Sequence, residues 1–203
     1  MLIGIFSGSF NPVHNGHVAL AEWFVREHVV DAVWLIRSPL NPLKAATAVQ
    51  MAPDADRLAM LRLAIEGHDA LSISTIEDDM PRPSYSYHTL QRLREQYPEH
   101  EFHFIIGSDN WQHFSRWYRW QDILREFHLV VYPRPGYPVD AASADLPDAK
   151  GIRIVDAPTY DVSSTDIRRL LSGTPSERDE AARLLSPSVM RYILEHGLYG
   201  TRA

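Results

Sequence analysis

Residues 1–17 read MLIGIFSGSFNPVHNGH and contain the pattern from which the fold class is predicted. Residues 1–6 form an apolar run with the composition of a buried β-strand. Residues 7–15 are mostly small or polar, and glycine among them lets a ligand approach the backbone closely. From residue 16 to residue 28, apolar side chains recur at helical spacing. A strand, a short loop and a helix in this order predict the first unit of a parallel α/β sheet.

The loop of residues 7–15 leads into the N-terminus of the predicted helix, where N–H groups and a partial positive charge favour anions. His14 and His17 are three residues apart, so both imidazoles lie on the same face of that helix. Together they can donate two hydrogen bonds to one phosphoryl group. A metal pair is the alternative, but structural metal sites take four ligands and the chain has no cysteine. We therefore expect a phosphate site and no metal held by protein side chains.

Apolar and amphipathic segments alternate along the rest of the chain. They predict further strands at residues 32–36, 71–73, 101–106, 127–132 and 151–155. They predict further helices at residues 54–66, 85–97, 163–171 and 187–195. Residues 107–109 predict a turn. Residues 38–53 and 138–150 predict long loops, of which the first has the length of a lid and the second is expected to be mobile.

These elements predict an α/β fold, a doubly wound, Rossmann-like open parallel sheet flanked by helices. We expect the whole chain, residues 1–203, to form a single domain with a helical C-terminal part from about residue 163. Ligands of such sheets bind at the carboxyl ends of the strands. Functional residues are therefore expected in the segments that directly follow the strands.

The composition limits the classes of function. Hydrophobic residues make up 45% of the 203 residues, without an apolar run long enough to cross a membrane. The first residues lack the basic region and long apolar core of a signal peptide, and cysteine is absent, so we expect a cytoplasmic protein without a membrane partner. The net charge of −6 disfavours nucleic acid as a partner but allows a small phosphate ligand in a locally positive pocket. The oligomeric state does not follow from the sequence.

A second motif, VSSTDIR at residues 162–168, follows the last predicted strand. The hydroxyls of Ser163, Ser164 and Thr165 precede an amphipathic stretch, which is typical of a helix N-cap. One interpretation is purely structural, with a capping serine and a solvated Arg168. The other is a second phosphate site at a helix N-terminus, where the Arg168 guanidinium binds two phosphate oxygens. Taken alone, this motif favours the structural interpretation.

Considered together, GSFNPVHNGH at residues 8–17 and SSTDIR at residues 163–168 resemble the paired signatures of the HxGH nucleotidyltransferase superfamily. The segments LNPLK at 40–44, PSYSYHTL at 83–90, IIGSDN at 105–110 and RPGY at 134–137 are similar to bacterial nicotinate-mononucleotide adenylyltransferases. This resemblance covers nearly the whole chain. The chain departs from the family pattern at Ser7, Ser9 and Asn11, where Gly, Thr and Asp are common, and at Leu43, where the loop often has His.

The resemblance implies transfer of the adenylyl group of ATP to nicotinate mononucleotide, which gives deamido-NAD and pyrophosphate in NAD biosynthesis. It implies Mg²⁺ carried by the ATP phosphates. It implies catalytic roles for His14, His17, Lys44 and Arg168. Residues that it implies for ATP binding are Gly8, Ser9, Phe10, His17, Gly107, Asp109, Ser163, Ser164, Thr165 and Arg168. Residues that it implies for acceptor binding are Tyr85, Ser86, Thr89, Trp117 and Arg134.

Alternatives stay open at this point. Nicotinamide mononucleotide or phosphopantetheine could be the acceptor within the same superfamily. A nucleotide sensor without catalysis is another class, which is disfavoured because the chain keeps the full set of phosphate-binding residues. Structural roles also compete at single positions: Trp117 as a core aromatic, Asp109 as a helix cap and Arg134 in a surface ion pair.

Overall fold

The computed structural model describes residues 1–38, 51–139 and 149–201. In these ranges the strands are β1 Leu2–Gly8, β2 Ala32–Arg37, β3 Leu71–Ser74, β4 Glu101–Gly107, β5 His128–Tyr132 and β6 Ile152–Ile154. The α-helices are α1 Asn15–Arg26, α2 Asp54–Ala64, α3 Ser86–Gln96, α4 Ser108–Gln112, α5 Trp120–Glu126, α6 Ser164–Leu171, α7 Pro175–Leu184 and α8 Pro187–His196. None of these helices is long and apolar enough to cross a membrane.

Within the described ranges the strands form one sheet in the order β3-β2-β1-β4-β5-β6. Every neighbouring pair is parallel. Ile5 of β1 lies in register with Trp34 of β2 on one side and with Phe104 of β4 on the other. The chain therefore reverses its direction of winding between β1 and β4, where doubly wound sheets bind their ligands. The predicted fold class is confirmed.

Each face of the sheet is covered by helices, because alternate side chains of a strand point to opposite faces. On one face, Phe6 and Ile105 pack in a buried cluster with Phe24 of α1 and Ile193 of α8. On the other face, Ile5 and Phe104 of the strands pack in a second buried cluster with Leu90 of α3 and Ile123 of α5. Each fully buried aliphatic or aromatic side chain contributes about 1.5–3 kcal/mol. This packing holds the carboxyl ends of β1 and β4 in place.

The C-terminal helices belong to the first of these clusters, since Ile167 and Ile193 are fully buried in it. They are also tied to α2, where the Tyr192 hydroxyl donates to Asp56 Oδ1 at 2.8 Å. The helical part begins at Ser164, close to the predicted boundary near residue 163. Helix α6 is thereby brought back beside β1 and α1.

The sequence prediction was wrong for part of the secondary structure. Residues 107–109, predicted as a turn, lead into α4, which begins at Ser108. Helices α5 and α7 were not predicted, because α5 has only 7 residues and α7 buries only Ala181. Short or mostly exposed helices carry little hydrophobic periodicity. The predicted loops at residues 38–53 and 138–150 lie largely outside the described residues.

Candidate active site

The turn between β1 and α1 is held by side chains that come from distant parts of the chain. Phe10 has a positive φ of 43°, and its ring lies 3.2 Å from where a Cβ on Gly8 would be. Any larger residue at position 8 would displace that ring. Asn11 is buried, and its Oδ1 accepts hydrogen bonds from Ala52 N at 3.0 Å and from the Tyr199 hydroxyl at 2.9 Å. The turn is therefore preorganised by the protein itself.

His14 and His17 open helix α1, His14 as the N-cap and His17 as the third residue. Their rings are stacked with centroids 3.6 Å apart. The backbone N–H of His14 donates to His17 Nδ1 at 3.2 Å. A ring nitrogen that accepts a hydrogen bond carries no proton, so the neutral His17 has its N–H on Nε2. The first turn of α1 contains no acidic residue to offset its partial positive charge.

His14 is almost completely buried. Burial and, after it, the charge of Arg134 lower the pKa of His14 to about 3. The imidazole is therefore neutral near pH 7 and acts as a hydrogen-bonding group. Arg134 lines the same crevice as His14 and His17, so the positive charge beside the histidines comes from a guanidinium group.

Helix α6 meets the β1–α1 turn directly. Ser163 is its N-cap and accepts from the backbone N–H of Asp166 at 3.1 Å. The Ser164 hydroxyl donates to Pro12 O at 2.9 Å, and Arg168 Nη1 donates to Asn11 O at 2.7 Å. The two motifs, 152 residues apart at the Pro12–Ser164 contact, thus form one site. The contact with Asn11 also shows that Arg168 is not merely solvated.

A second cleft opens at the carboxyl ends of β1 and β4. It is lined by aromatic and small residues that include Gly8, Tyr85, Ser86, Gly107, Trp117 and Tyr118. Phe6 and Tyr132 line both this cleft and the histidine crevice, so the two cavities adjoin. The architecture offers an anion site beside an aromatic cleft.

Trp117 packs on one side and lines the cleft on the other. Its ring centroid is 5.3 Å from that of Phe114 and 5.9 Å from that of Phe104. It is only half-buried and forms part of the cleft wall. The structural role and the predicted ligand-facing role of Trp117 are therefore compatible.

Comparison with known proteins assigns the family. Residues 5–170 match the model of the family described as cytidylyltransferase-like. The chain belongs to this family. A probable nicotinate-nucleotide adenylyltransferase of Bacteroides thetaiotaomicron is 47% identical over 193 residues, which are 95% of this chain and 91% of that protein. One from Cytophaga hutchinsonii is 37% identical over 199 residues, 98% of each chain. Within the cytidylyltransferase-like family, the chain therefore belongs with the nicotinate-nucleotide adenylyltransferases.

Solved structures agree on the fold. The Plasmodium falciparum nicotinic acid mononucleotide adenylyltransferase complexed with NaAD superposes with a TM-score of 0.83 at 18% identity, covering 99% of this chain and 98% of that one. The same enzyme complexed with APC gives 0.81 at 17% identity, with the same coverage. At this identity the likeness shows the shared architecture.

For this adenylyltransferase-family chain, the structure places two of the predicted acceptor residues away from the aromatic cleft. Thr89 is buried, and its hydroxyl donates to Glu77 Oε1 at 2.9 Å, so it lies behind the cleft wall. Arg134 is not part of the cleft lining and lines the adjoining histidine crevice. Tyr85, Ser86 and Trp117 do line the cleft.

The other predicted residues are placed as follows. Gly107 lines the cleft, and a Cβ there would lie 2.9 Å from Arg134 Cγ. Gly107 is also the N-cap of α4, so Asp109 stands in the first turn and is not the cap. Asp109 Oδ1 lies 3.9 Å from Arg134 Nε. Lys44, the fourth predicted catalytic residue, lies outside the described residues.

Arg57 supports the site from behind, and its sequence context did not predict this role. Its side chain is fully buried and donates to Ser9 O at 2.6 Å, Ser38 O at 3.0 Å and Ala52 O at 3.2 Å. It also pairs with Asp54. Arginine on an amphipathic helix ordinarily indicates an exposed face, and main-chain acceptors leave no signal in the sequence. Arg57 nevertheless holds the ends of β1 and β2 together.

Glu77 was also not predicted, because its partners are side-chain hydroxyls that only the folded chain brings to it. It is buried at the back of the cleft and accepts from the Ser84 hydroxyl at 2.7 Å as well as from Thr89. Burial raises the pKa of the Glu77 carboxyl. These bonds fix the start of α3, where Tyr85 and Ser86 face the cleft.

Among the described residues, one group of histidine and carboxylate side chains has the arrangement of metal ligands: Glu101, His103 and His128. These residues lie near the amino ends of β4 and β5, whereas His14 and His17 follow the carboxyl end of β1. The expectation that the catalytic site holds no metal through protein side chains stays a prediction.

Proposed function

We propose that this chain transfers the adenylyl group of ATP to nicotinate mononucleotide and releases deamido-NAD and pyrophosphate. The observation that carries the proposal is that Arg168 of α6 binds the turn that leads into the His14–His17 pair, so that two helix N-termini meet beside an aromatic cleft. The relatives named as nicotinate-nucleotide adenylyltransferases support the choice of acceptor.

The chemistry needs alignment more than acid–base catalysis. The attacking group is a phosphate monoester of the acceptor, whose second pKa near ~6 leaves it largely ionised at neutral pH. Its oxygen forms a bond to the α-phosphorus of ATP while the bond from that phosphorus to the pyrophosphate oxygen breaks. The protein must hold two anions in line and offset the charge on the phosphoryl oxygens.

The residues of the crevice suit these tasks. The Nε2–H of His17 would donate to an oxygen of the α-phosphoryl group, with the neutral His14 beside it. Arg168, Thr165 and the N-terminus of α6 would bind the β- and γ-phosphates. Gly8, Ser9 and Phe10 would let the nucleotide pass close to the backbone. Mg²⁺ would accompany the ATP phosphates, because the imidazole, guanidinium and hydroxyl donors described here suit phosphate oxygens and not a hard cation.

The aromatic cleft suits the acceptor. A planar nicotinate ring fits against Trp117, and its carboxylate fits the N-terminus of α3. That helix begins at Ser86 and has no acidic residue in its first turn. A neutral carboxamide gains less from a helix N-terminus than a carboxylate does, which favours nicotinate over nicotinamide mononucleotide.

The experiment that tests this function measures pyrophosphate release from ATP and Mg²⁺ with three acceptors supplied separately. We expect strong preference for nicotinate mononucleotide over nicotinamide mononucleotide and phosphopantetheine. Preference for another acceptor would keep the mechanism and overturn the assigned substrate. Tight ATP binding without turnover on any of the three would favour a nucleotide sensor. The cytoplasmic location, the single domain over residues 1–203 and the lack of a nucleic-acid partner stay predictions from the sequence.

A further inference from the structure

Three potential metal ligands meet at the amino ends of β4 and β5. Glu101 and His103 are two residues apart on β4, so their side chains project from the same face. His128 of β5 is the register partner of His103, and the two imidazole centroids are 4.8 Å apart. The parallel pairing of β4 with β5 thus brings Glu101 and His103 together with His128, which is 27 positions after Glu101 in the chain.

The two distances from Glu101 to the imidazoles match those of a small tetrahedral site. Glu101 Oε1 lies 3.4 Å from His103 Nε2 and 3.5 Å from His128 Nε2. Zinc bonds of about 2.0–2.1 Å at tetrahedral angles put ligand atoms about 3.3–3.4 Å apart. The three ligand atoms all lie within 4.8 Å of one another. Glu101 already stands at this spacing from both imidazoles, so binding an ion requires an adjustment only between His103 and His128.

The surroundings hold the ligands and leave an approach from solvent. Gly151, just before β6, packs against the His128 ring, where a Cβ would lie 2.5 Å from Nδ1. The Gly151 carbonyl accepts from Leu129 N at 2.9 Å, which fixes that backbone beside β5. The His103 and His128 side chains are 17% and 30% exposed, and that of Glu101 is 57% exposed. Water can therefore complete a fourth position.

We propose that Glu101, His103 and His128 bind one divalent transition-metal cation of the zinc class, with water as the remaining ligand. Two imidazoles and one carboxylate are the donor set that such cations take in proteins. The ion crosslinks β4 to β5 at the edge of the sheet remote from the histidine crevice. A ligand that binds only the native state stabilises it, so the cation stabilises the fold and takes no part in adenylyl transfer.

The test uses chelator-treated full-length protein titrated with Zn²⁺ by calorimetry and with Co²⁺ by visible absorption. We expect one ion per chain and the absorption of tetrahedral Co²⁺. Replacing a residue that only supports a metal ligand costs about 10–100-fold in affinity, so His103→Ala and His128→Ala should each weaken binding by at least about tenfold. Zn²⁺ should raise the thermal midpoint of the wild type and not that of these variants.

His68→Ala is the matched control, because His68 Nδ1 lies 2.6 Å from Glu22 Oε1 in a histidine–carboxylate pair to which the described residues add no third ligand. It should bind Zn²⁺ as the wild type does. Glu101→Gln removes one ligand with little change in shape and guards against misfolding of the alanine variants. The proposal would be overturned if the wild type did not bind Zn²⁺ stoichiometrically, or if both histidine variants still did. Loss of binding in His17→Ala instead would assign the ion to the nucleotide site and overturn it equally.

Discussion

At the residue scale, His17 is set up as a donor by a hydrogen bond to its other nitrogen. Removing one donor to a developing anionic charge typically lowers kcat by about 10²–10³. We predict a loss of this size in His17→Ala, with an unchanged circular dichroism spectrum. His17→Gln, whose amide nitrogen reaches the position of Nε2, should retain more activity. Near-normal pyrophosphate release by the alanine variant would remove His17 from the mechanism.

His14 gives a prediction about pH. The pKa of its folded form, about 3, lies below the unfolded value, so its contribution to stability is complete above about pH 6.5 and falls as the pH drops. Between pH 7 and pH 5 the unfolded chain gains about 0.7 of a proton at this residue and the folded chain gains almost none. In urea unfolding, the wild type should lose about 2 kcal/mol more over this interval than His14→Asn. Parallel pH curves for the two proteins would contradict the neutral buried state.

The sequence could predict those side chains that belong to local patterns. His14 and His17 share a helix turn, and Ser163 caps α6 as its hydroxyl predicted. The sequence could not predict Arg57 or Glu77, whose partners are main-chain carbonyls and hydroxyls that only the folded chain assembles. It also could not predict that Arg134 would line the histidine crevice, because that placement depends on tertiary packing, and the acceptor-binding role of Arg134 stays a prediction.

At the scale of elements, Arg57 connects α2 to the ends of β1 and β2. Arg57→Met would leave three carbonyls without this donor, two of them in buried hydrogen bonds, and would leave Asp54 without one of its partners. We predict that the free energy of unfolding falls by about 3 kcal/mol or more. The exposed Arg62→Met, on the same helix, is the control and should change it by less than about 0.5 kcal/mol. Equal effects of the two substitutions in urea unfolding would contradict the role of Arg57.

Helices with a clear hydrophobic periodicity in the sequence were predicted well, and helices without it were not. Helix α1 buries Val18, Leu20, Ala21 and Phe24 on one stripe, which the sequence displays directly. Helix α7 instead begins with a capping box of Thr174 and Glu177 and with Pro175 in its first turn. These are local signals of a helix start without an apolar face behind them. Capping residues could therefore have found α7 where hydrophobic periodicity failed.

At the scale of the whole molecule, the site is built from both ends of the chain. Arg168 and Ser164 of α6 bind the carbonyls of Asn11 and Pro12, and the Tyr199 hydroxyl binds the Asn11 side chain. A triphosphate that contacts α1 and α6 together would tie these two parts of the fold more strongly. ATP at a hundredfold excess over its Kd should stabilise the folded state by about 2.7 kcal/mol. The thermal midpoint should rise accordingly.

Arg168 is the link on which that stabilisation depends. Arg168→Ala removes both the contact with Asn11 and a cation for the phosphate tail, so the KM for ATP should rise by about tenfold or more while the acceptor KM stays unchanged. The ATP-induced rise in thermal midpoint should shrink in the same variant. Arg169→Ala is the matched control, because Arg169 is the next residue and its side chain, 64% exposed, lies 3.8 Å from Glu177. Arg168→Lys keeps the charge but loses the planar fork, so an ATP KM between those of the wild type and the alanine variant would separate geometry from charge. If Arg168→Ala and Arg169→Ala had the same KM for ATP, α6 would support only the fold. The phosphates of ATP would then have to be bound by α1 without a contribution from α6.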